Sequence, residues 1–422
     1  MSFLKSLSAR VLAALALGLI GGALIAGGSP APEWLLKTAQ AIGSVWLGCL
    51  QMTVIPLVFS LLVVGVAAVS DAMSAGRLAA RAVGWFTALL IGATILTFIG
   101  VEAALAALPV NPESARALIA GATGGEVAAP QTIDFAAWVT SLIPSNPLAA
   151  AASNAILPLV IFALFFAFAV TRLPDQQRVL LVSFFDAVAD AMIVIVKWVL
   201  WAAPVGVFAL ALTLGLRGGL GSTGALFHYV VLVSAACIAV VLICYPLAAI
   251  FAGVGPLRFA RAVSEAQVVA FSTQSSIGTL PVMVESARRN LDVPEHVAGL
   301  VLPLSVAVFR LTSPVANLAV ALFICHVSGI TPTPGQMLAA GLVAFAVSIS
   351  SVGLPGQVSF FVSVVPICFA MGAPIELLPL LLAVEVIPDI FRTVGNVTAD
   401  LAVTAILKRG DKGVRTIAPE TA

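Results

Sequence analysis

Charged side chains are scarce in this sequence, which has 9% charged and 61% hydrophobic residues. Soluble domains carry about 25% charged residues, so this composition excludes an ordinary water-soluble protein. The mean hydropathy of +1.14 agrees with that conclusion. Several apolar runs reach the roughly 20 residues that a helix needs to cross a bilayer. The sequence therefore predicts an all-α polytopic membrane protein, with the lipid bilayer as its main contact.

Other absences narrow the function. The five cysteines are scattered without CxxC or other metal spacing, and the three histidines lie apart near probable span ends, so neither a metal site nor a cofactor is expected. No basic face is interleaved with aromatic residues, so nucleic acid is not an expected partner. No histidine lies at bilayer depth beside the serine clusters, and no GxSxG motif occurs. An intramembrane hydrolase, and an enzyme in general, is therefore disfavoured.

Eight apolar spans and two shorter interrupted segments organise the chain. The predicted spans are Val11–Ala26, Ala41–Val69, Val83–Leu105, Ile156–Val170, Ala187–Leu212, Tyr229–Ala252, Val297–Val327 and Leu377–Leu407. Ser, Gly and Pro interrupt the shorter segments, Val268–Val284 and Leu342–Ala370. The first span resembles a signal peptide but leads straight into further spans, so we interpret it as a retained helix.

Basic residues predict the topology, because cytoplasmic loops carry an excess of Lys and Arg. Most of them fall on one side if the first interrupted segment enters and leaves the membrane by that same face. The number of membrane crossings then requires the second interrupted segment to enter and leave by the opposite face. Both termini are then cytoplasmic. The residues on that side are Lys5, Arg10, Arg77, Arg81, Arg172, Arg178, Arg258, Arg261, Arg288, Arg289, Lys408, Arg409, Lys412 and Arg415.

The two interrupted segments resemble one another. One contains "STQSSIGTLPV" (Ser272–Val282) and the other "SISSVGLPGQV" (Ser348–Val358). Gly and Pro interrupt the helix there, which leaves backbone N–H and C=O groups for protein, water or ligand to satisfy. Two such units of opposite orientation form an inverted repeat, and substrate sites in such repeats lie near the midplane. A Ser/Gly-rich seam for helix packing is the plainer alternative.

The last span carries a polar stripe. Glu385, Asp389, Arg392, Asn396 and Asp400 follow one another at spacings of three and four, which places them on one face of a helix. The planar fork of Arg392 suits a carboxylate, and Asp389 can accept an ammonium group. The stripe therefore predicts a site for an acidic amino acid. A purely structural ladder of ion pairs is the alternative.

These motifs resemble the glutamate transporter family, the dicarboxylate/amino acid:cation symporters. "SSIGTLP" and "SISSVGLPG" are similar to the tips of its two hairpins, and "RTVGNVTADL" is similar to its last-helix motif. The resemblance implies an elevator-type fold of eight transmembrane helices and two re-entrant helical hairpins, a homotrimer, and a location in the bacterial inner (plasma) membrane. It also implies a scaffold at residues 1–70 and 111–225, a transport domain at 71–110 and 226–407, and a cytoplasmic tail at 408–422.

The resemblance further implies secondary active transport of an acidic amino acid or C4-dicarboxylate by alternating access. Retention of both Asp389 and Arg392 favours aspartate or glutamate. Val358 stands where the family usually has a small residue. By position, the residues that would touch the substrate are Ser275, Ser276, Ser313, Leu354, Val358, Asp389, Arg392, Thr393 and Asn396.

One family signature is missing. Phe309, Arg310 and Leu311 stand where the family has Asn, Met and a sodium-ligating Asp. In the third span, side chains without hydroxyl groups replace the family's Tyr, Thr and Ser. Because a hard cation needs oxygen ligands, one family sodium site is expected to be lost. The replacements in the third span are Phe86, Leu89 and Leu90, and the residues left for a residual sodium are Ser305, Phe309, Asn396 and Asp400.

Arg310 brings a fixed positive charge to the same place. Our hypothesis is that its guanidinium replaces a bound cation and pairs with Asp400 or with the substrate carboxylate. Proton coupling is then favoured over sodium coupling, with Glu385 and Asp389 as candidate proton carriers because burial favours the neutral acid. The residues assigned to cation binding or coupling are therefore Arg310, Glu385, Asn396 and Asp400. A sodium-coupled symporter, an anion exchanger, an ion channel and a transport-incompetent sensor are the alternatives.

Overall fold

The computed structural model describes residues 7–28, 32–74, 76–123, 140, 143–153, 155–218, 221–350 and 356–409. Nearly all of these residues are helical, and no β-strand occurs among them. The helices begin with α1 Leu7–Gly28, α2 Glu33–Ser74, α3 Arg77–Ala107, α4 Pro112–Thr123, α5 Pro147–Ala152, α6 Ile156–Val170, α7 Asp175–Trp201, α8 Ala203–Gly218 and α9 Thr223–Leu247. They continue with α10 Pro256–Thr273, α11 Ser276–Asn290, α12 Glu295–Val308, α13 Thr312–Val327, α14 Pro334–Ser350, α15 Gly356–Met371, α16 Leu378–Val384 and α17 Val386–Lys408.

Among the described residues, seven stretches are long and apolar enough to cross a membrane, which confirms a polytopic membrane protein. They are Arg10–Gly27, Glu33–Ser74, Arg77–Ala107, Asp175–Trp201, Thr223–Ala252, Glu295–Val327 and Val386–Lys408. Large apolar side chains are exposed on the outside, among them Leu24, Trp198 and Leu242. Exposed apolar surface of this kind suits contact with lipid.

Three expected spans are divided in the structure, and the fourth keeps its expected bounds. The seventh is divided between α12 and α13, and the eighth between α16 and α17. The fourth, Ile156–Val170, is a helix of 15 residues, shorter than the roughly 20 that a perpendicular crossing needs. The fifth, expected at Ala187–Leu212, is divided between α7 and α8, which meet at Ala202. Apolar composition alone did not reveal where the divided spans are interrupted.

Close backbone contact joins α1 and α8. The first helix carries Gly18 and Gly22 one turn apart, and α8 presents Gly215 to them. A methyl group added at Gly22 would lie 2.7 Å from the backbone nitrogen of Leu216. Membrane helices often associate through small residues of this kind, because their backbones can then approach closely.

Helices α10 and α11 form an antiparallel hairpin. Gln274 ends α10 with a left-handed backbone (φ 51°), and the Ser275 side chain caps α11 by accepting a hydrogen bond from Gly278 N at 3.0 Å. At the other end, Arg258 Nη2 lies 2.5 Å from Asp292 Oδ2. The hydrogen bond and charge of Arg258 lower the pKa of the Asp292 carboxyl. The start of α10 and the end of α11 therefore lie next to each other, opposite the tip of the hairpin.

Helices α14 and α15 also pack against each other. The residues between them, 351–355, lie outside the described part of the chain, and they include the predicted second tip with Leu354. Of Val358, the structure describes only the backbone, within α15. The tail beyond Arg409 is likewise outside the described residues.

We expect Gly22→Ala to destabilise the protein, because the new methyl group meets backbone atoms of α8 that cannot move independently. Overpacking of this kind typically costs about 1–3 kcal/mol. The measurement is the midpoint of thermal unfolding in detergent. Gly21→Ala is the matched control, since nothing lies within 4 Å of a methyl group at that position. A similar midpoint for both variants would contradict the close packing of α1 on α8.

Candidate functional site

A break in one helix lies against the middle of another. Helix α12 ends at Val308, Phe309 is extended (φ −124°, ψ 115°), and α13 starts at Thr312. The Asn396 Oδ1 atom accepts hydrogen bonds from Thr312 N at 3.0 Å and from Thr312 Oγ1 at 2.8 Å. Thr312 Oγ1 also lies within hydrogen-bond distance of the Arg392 carbonyl, at 2.8 Å. The break is thus fixed to α17 by polar contacts that satisfy a backbone donor freed by the interruption.

The polar stripe of α17 faces the protein interior. Arg392, Asn396 and Asp400 are 6%, 4% and 1% exposed, and Glu385, at the residue that joins α16 to α17, is 2% exposed. Asp389 is half-buried. Because charge facing hydrocarbon is costly, this orientation is the one that the spacing predicted.

Glu385 is held by two partners. Arg392 Nη2 lies 2.6 Å from its Oε1 atom, and the Tyr229 hydroxyl, from α9, donates a hydrogen bond to its Oε2 atom. Both side chains of the ion pair are at most 7% exposed. Sequence analysis missed Tyr229, although one of only two tyrosines in the chain, placed within an apolar span, was a signal. Glu385 therefore holds the Arg392 guanidinium in place in this conformation.

Arg392 keeps a donor for a ligand. Its Nε atom is buried and has no hydrogen-bond partner among the described residues. A guanidinium that is anchored on one side and unsatisfied on another suits recognition of a carboxylate.

The remaining predicted contact residues are arranged as follows. Ser276 and Ser313 are buried, and the Ser313 Oγ atom accepts a hydrogen bond from Asn317 Nδ2 at 3.2 Å. Thr393 Oγ1 donates to the Asp389 carbonyl at 2.9 Å. The α10–α11 hairpin that carries Ser275 and Ser276 packs along α17, where Gln267 Nε2 donates to Thr398 Oγ1 at 2.9 Å.

An aromatic pair occupies the place of the expected sodium ligands. Phe86 from α3 and Phe309 from the helix break are stacked, with ring centroids 4.4 Å apart and an angle of 13° between planes. Leu90 and Leu311 are buried in the same apolar cluster. Residues that do not fit a hard cation are thus brought together from two distant parts of the chain. No metal-binding group of three or more His, Cys, Asp or Glu side chains was found in the described part of the chain.

Asp400 and Arg310 lie near this cluster without bonding to each other. Both Asp400 carboxylate oxygens are buried, and so is the Arg310 Nε atom, and none of the three has a hydrogen-bond partner among the described residues. The pairing of Arg310 with Asp400 that the sequence suggested is therefore absent from this conformation. The two charges are still close enough to interact, and Arg310 also interacts with Asp389.

We expect Glu385→Gln to lower the stability strongly, because it leaves the Arg392 charge buried without a counter-charge. Removing one partner of a buried ion pair typically costs about 3–5 kcal/mol. Glu285→Gln is the matched control, since Glu285 pairs with Arg289 on an exposed face of α11. Such surface pairs contribute little. Equal unfolding midpoints for the two variants would show that Glu385 does not anchor Arg392.

Comparison with known proteins assigns the family. The profile of the sodium:dicarboxylate symporter family matches residues 7–409. The proton/glutamate-aspartate symporter of Escherichia coli (strain K12) is 28% identical over 96% of this chain and 92% of its own length. The C4-dicarboxylate transport protein 3 of Bradyrhizobium diazoefficiens is 29% identical over 83% of this chain and 77% of its own. The neutral amino acid transporter B(0) of Homo sapiens is 28% identical over 94% of this chain and 76% of its own length. The chain belongs to the sodium:dicarboxylate symporter family, and it is a membrane transport protein rather than an enzyme.

Proposed function

We propose that this protein is a secondary active transporter of an acidic amino acid, aspartate or glutamate, with a C4-dicarboxylate as the second candidate substrate. The observation that carries the proposal is the anchored Arg392 with its unsatisfied Nε atom, one turn from the half-buried Asp389. The arginine binds a substrate carboxylate and the aspartate binds the ammonium group. Because a dicarboxylate has no ammonium group, Asp389 favours the amino acid.

The names of the relatives support both substrates. One relative is a proton/glutamate-aspartate symporter and another a C4-dicarboxylate transport protein. In the proposed site, the substrate also touches backbone and hydroxyl groups of both hairpin tips, α13 and α17. These contacts come from Ser275, Ser276, Ser313, Leu354, Val358, Thr393 and Asn396.

We further propose elevator-type alternating access with eight crossings, re-entrant hairpins, and the scaffold and transport regions given above. The joined ends of the α10–α11 hairpin support this arrangement. Arg258 bonds to Asp292, and Lys408, at the end of α17, donates to the Leu291 carbonyl at 2.8 Å. A hairpin whose ends meet beside a span end can enter and leave the membrane by one face. A homotrimer in the bacterial inner membrane, with cytoplasmic termini, completes the proposal.

Transport is proposed to be independent of sodium. The Phe86–Phe309 stack takes the place of oxygen ligands, and Arg310 supplies a permanent positive charge close to Asp400. The alternative is a sodium ion held by the Ser305, Phe309 and Asn396 carbonyl groups together with Asp400. The Asp400 oxygens have no hydrogen-bond partner among the described residues, so they are available as ligands for such an ion. Replacing sodium by another cation in a transport assay distinguishes the two alternatives.

Proteoliposomes test the coupling ion. We expect uptake of labelled L-aspartate to differ less than about twofold when choline replaces sodium, because the apolar pair offers no ligands to a hard cation. Dependence of uptake on sodium by an order of magnitude would contradict this. Uptake that needs only an internal anion, and no pH gradient, would favour an exchanger. Failure of every acidic substrate to bind would favour a sensor.

Arg392→Lys tests substrate recognition. Lysine keeps the charge but lacks the planar fork, so aspartate binding should weaken by roughly 10- to 100-fold, the equivalent of one charge-assisted hydrogen bond. Isothermal titration in detergent is the measurement. Arg288→Lys is the matched control. Arg288 forms an ion pair with Glu295, and it lies at the end of the α10–α11 hairpin that is far from the tip. If Arg392→Lys binds aspartate as tightly as the wild type does, the substrate carboxylate binds elsewhere in the protein.

A further inference from the structure

A cavity lies between α2, α3, α6 and α14, and none of the residues assigned above to the substrate or to coupling lines it. Its volume is about 930 Å³, within the roughly 300–1,000 Å³ of typical ligand sites. Two of its lining side chains, Phe168 and Leu342, are exposed, so the cavity opens to the outside of the protein. Apolar side chains form most of its wall, among them Leu62, Val66, Ile161, Leu164, Phe345 and Ile349. Such a wall suits a hydrocarbon chain.

One end of this cavity is polar. Thr171 and Arg172, which follow α6, lie at that end, and so does Ser70, near the end of α2. Toward the other end α6 contributes Ile161, which precedes Thr171 by ten residues, or roughly 15 Å along a helix. One leaflet of a bilayer has about the same depth, because the whole hydrocarbon core is roughly 30 Å thick. The cavity is therefore charged at one end and apolar over the depth of a leaflet.

Arg172 has no ion-pair partner among the described residues. Asp175 follows it by three residues and Asp71 adjoins Ser70, but both carboxylates pair with Arg178 instead. The Arg178 Nη1 atom lies 2.6 Å from Asp71 Oδ1, and its Nη2 atom lies 3.6 Å from Asp175 Oδ1. Because Arg172 is exposed, a charged group from outside the protein can reach its guanidinium.

The start of α3 adds positive charge to the same end of the cavity. Helix α3 begins at Arg77, three residues after α2 ends at Ser74, so its first turns lie beside the end of α2. Arg77 and Arg81 are both exposed, and neither forms an ion pair with a described residue. Basic pockets between membrane helices bind anionic lipid head groups. The charge at this end therefore favours a negatively charged ligand.

Water is a poor occupant for the body of the cavity, because an ordered water needs two to four polar partners. Apart from Arg172, the wall carries hydroxyl groups only at Ser70, Thr87 and Thr171 among the described residues. The Thr171 Oγ1 atom already donates to the Phe168 carbonyl at 2.8 Å. An apolar chain needs no such partners, and its burial is favourable in itself.

We propose that this cavity binds an anionic phospholipid, with the lipid phosphate on Arg172 and one acyl chain along α6, between α2 and α14. The planar guanidinium can donate two parallel hydrogen bonds to phosphate oxygens. A zwitterionic lipid carries an additional positive charge, which Arg172, Arg77 and Arg81 repel, so it binds more weakly. The site is separate from the one proposed for the substrate, and the proposal does not depend on which solute is carried.

Native mass spectrometry of the full chain in detergent tests the lipid site. Dioleoyl phosphatidylglycerol is the anionic lipid, and phosphatidylcholine with the same acyl chains is the zwitterionic one. Wild type should bind phosphatidylglycerol roughly tenfold more tightly than phosphatidylcholine, the equivalent of one charge-assisted hydrogen bond. Arg172→Gln should lose that preference and bind phosphatidylcholine as wild type does. Arg261→Gln is the matched control and should keep the preference, because Arg261 is also exposed but lies on α10, which does not line the cavity.

Two further arms distinguish a lipid from a free anion. Ala346→Phe places a ring in the wall at α14, where Ala346 is 4% exposed, and should weaken the binding of both lipids. An excess of inorganic phosphate should not displace phosphatidylglycerol from wild type, because the ion lacks the buried chain.

The proposal is overturned if Arg172→Gln keeps the tenfold preference, if Arg261→Gln loses it to the same extent, or if inorganic phosphate displaces the lipid. Unchanged affinity of a folded Ala346→Phe variant for both lipids would overturn it as well. If Ala346→Phe does not fold, the comparison of Arg172→Gln with Arg261→Gln decides, since both side chains are exposed.

Discussion

The cost of a charge in an apolar interior is the constraint on which the rest of this structure depends. A charged group that faces hydrocarbon must be paired, shielded or neutralised. The ion pair of Glu385 with Arg392, completed by the Tyr229 hydroxyl, meets that requirement at one end of the α17 stripe. This pairing fixes the guanidinium and leaves its Nε atom without a hydrogen-bond partner among the described residues. In the proposed function, that structural contact positions the group that binds the substrate carboxylate.

At the other end of the stripe the requirement is not met within this conformation. Asp400 is buried and Arg310 is half-buried with a buried Nε atom, and the two side chains are not bonded to each other. Two such groups are costly to keep apart, so the arrangement favours a state in which they are paired or one in which the acid is neutral. In the proposed function, Arg310 takes the place of a bound cation, so the protein's own side chain supplies the positive charge.

Two positions at which the sequence departs from the expected sodium ligands come together in three dimensions. Phe86 and Phe309 come from α3 and from the break before α13, and they stack as a pair. Two isolated losses would leave a cavity or an unsatisfied polar group, whereas two aromatic rings fill the space with dispersion contacts. The break itself is kept, because Thr312 and Asn396 bond across it. The fold therefore keeps the interruption between α12 and α13 beside the aromatic pair.

The sequence by itself determined the membrane class, most spans, the interruption of the first of the two shorter segments and the buried face of α17. Each of these depends on composition or on spacing within one helix, which local sequence encodes. Only the tertiary structure decided that Tyr229 holds Glu385, that Phe86 stacks on Phe309, and that Arg310 does not bond to Asp400. It also showed that the fifth span divides at Ala202. These features depend on contacts between residues distant in sequence and on where packing ends a helix, neither of which a hydrophobic period specifies.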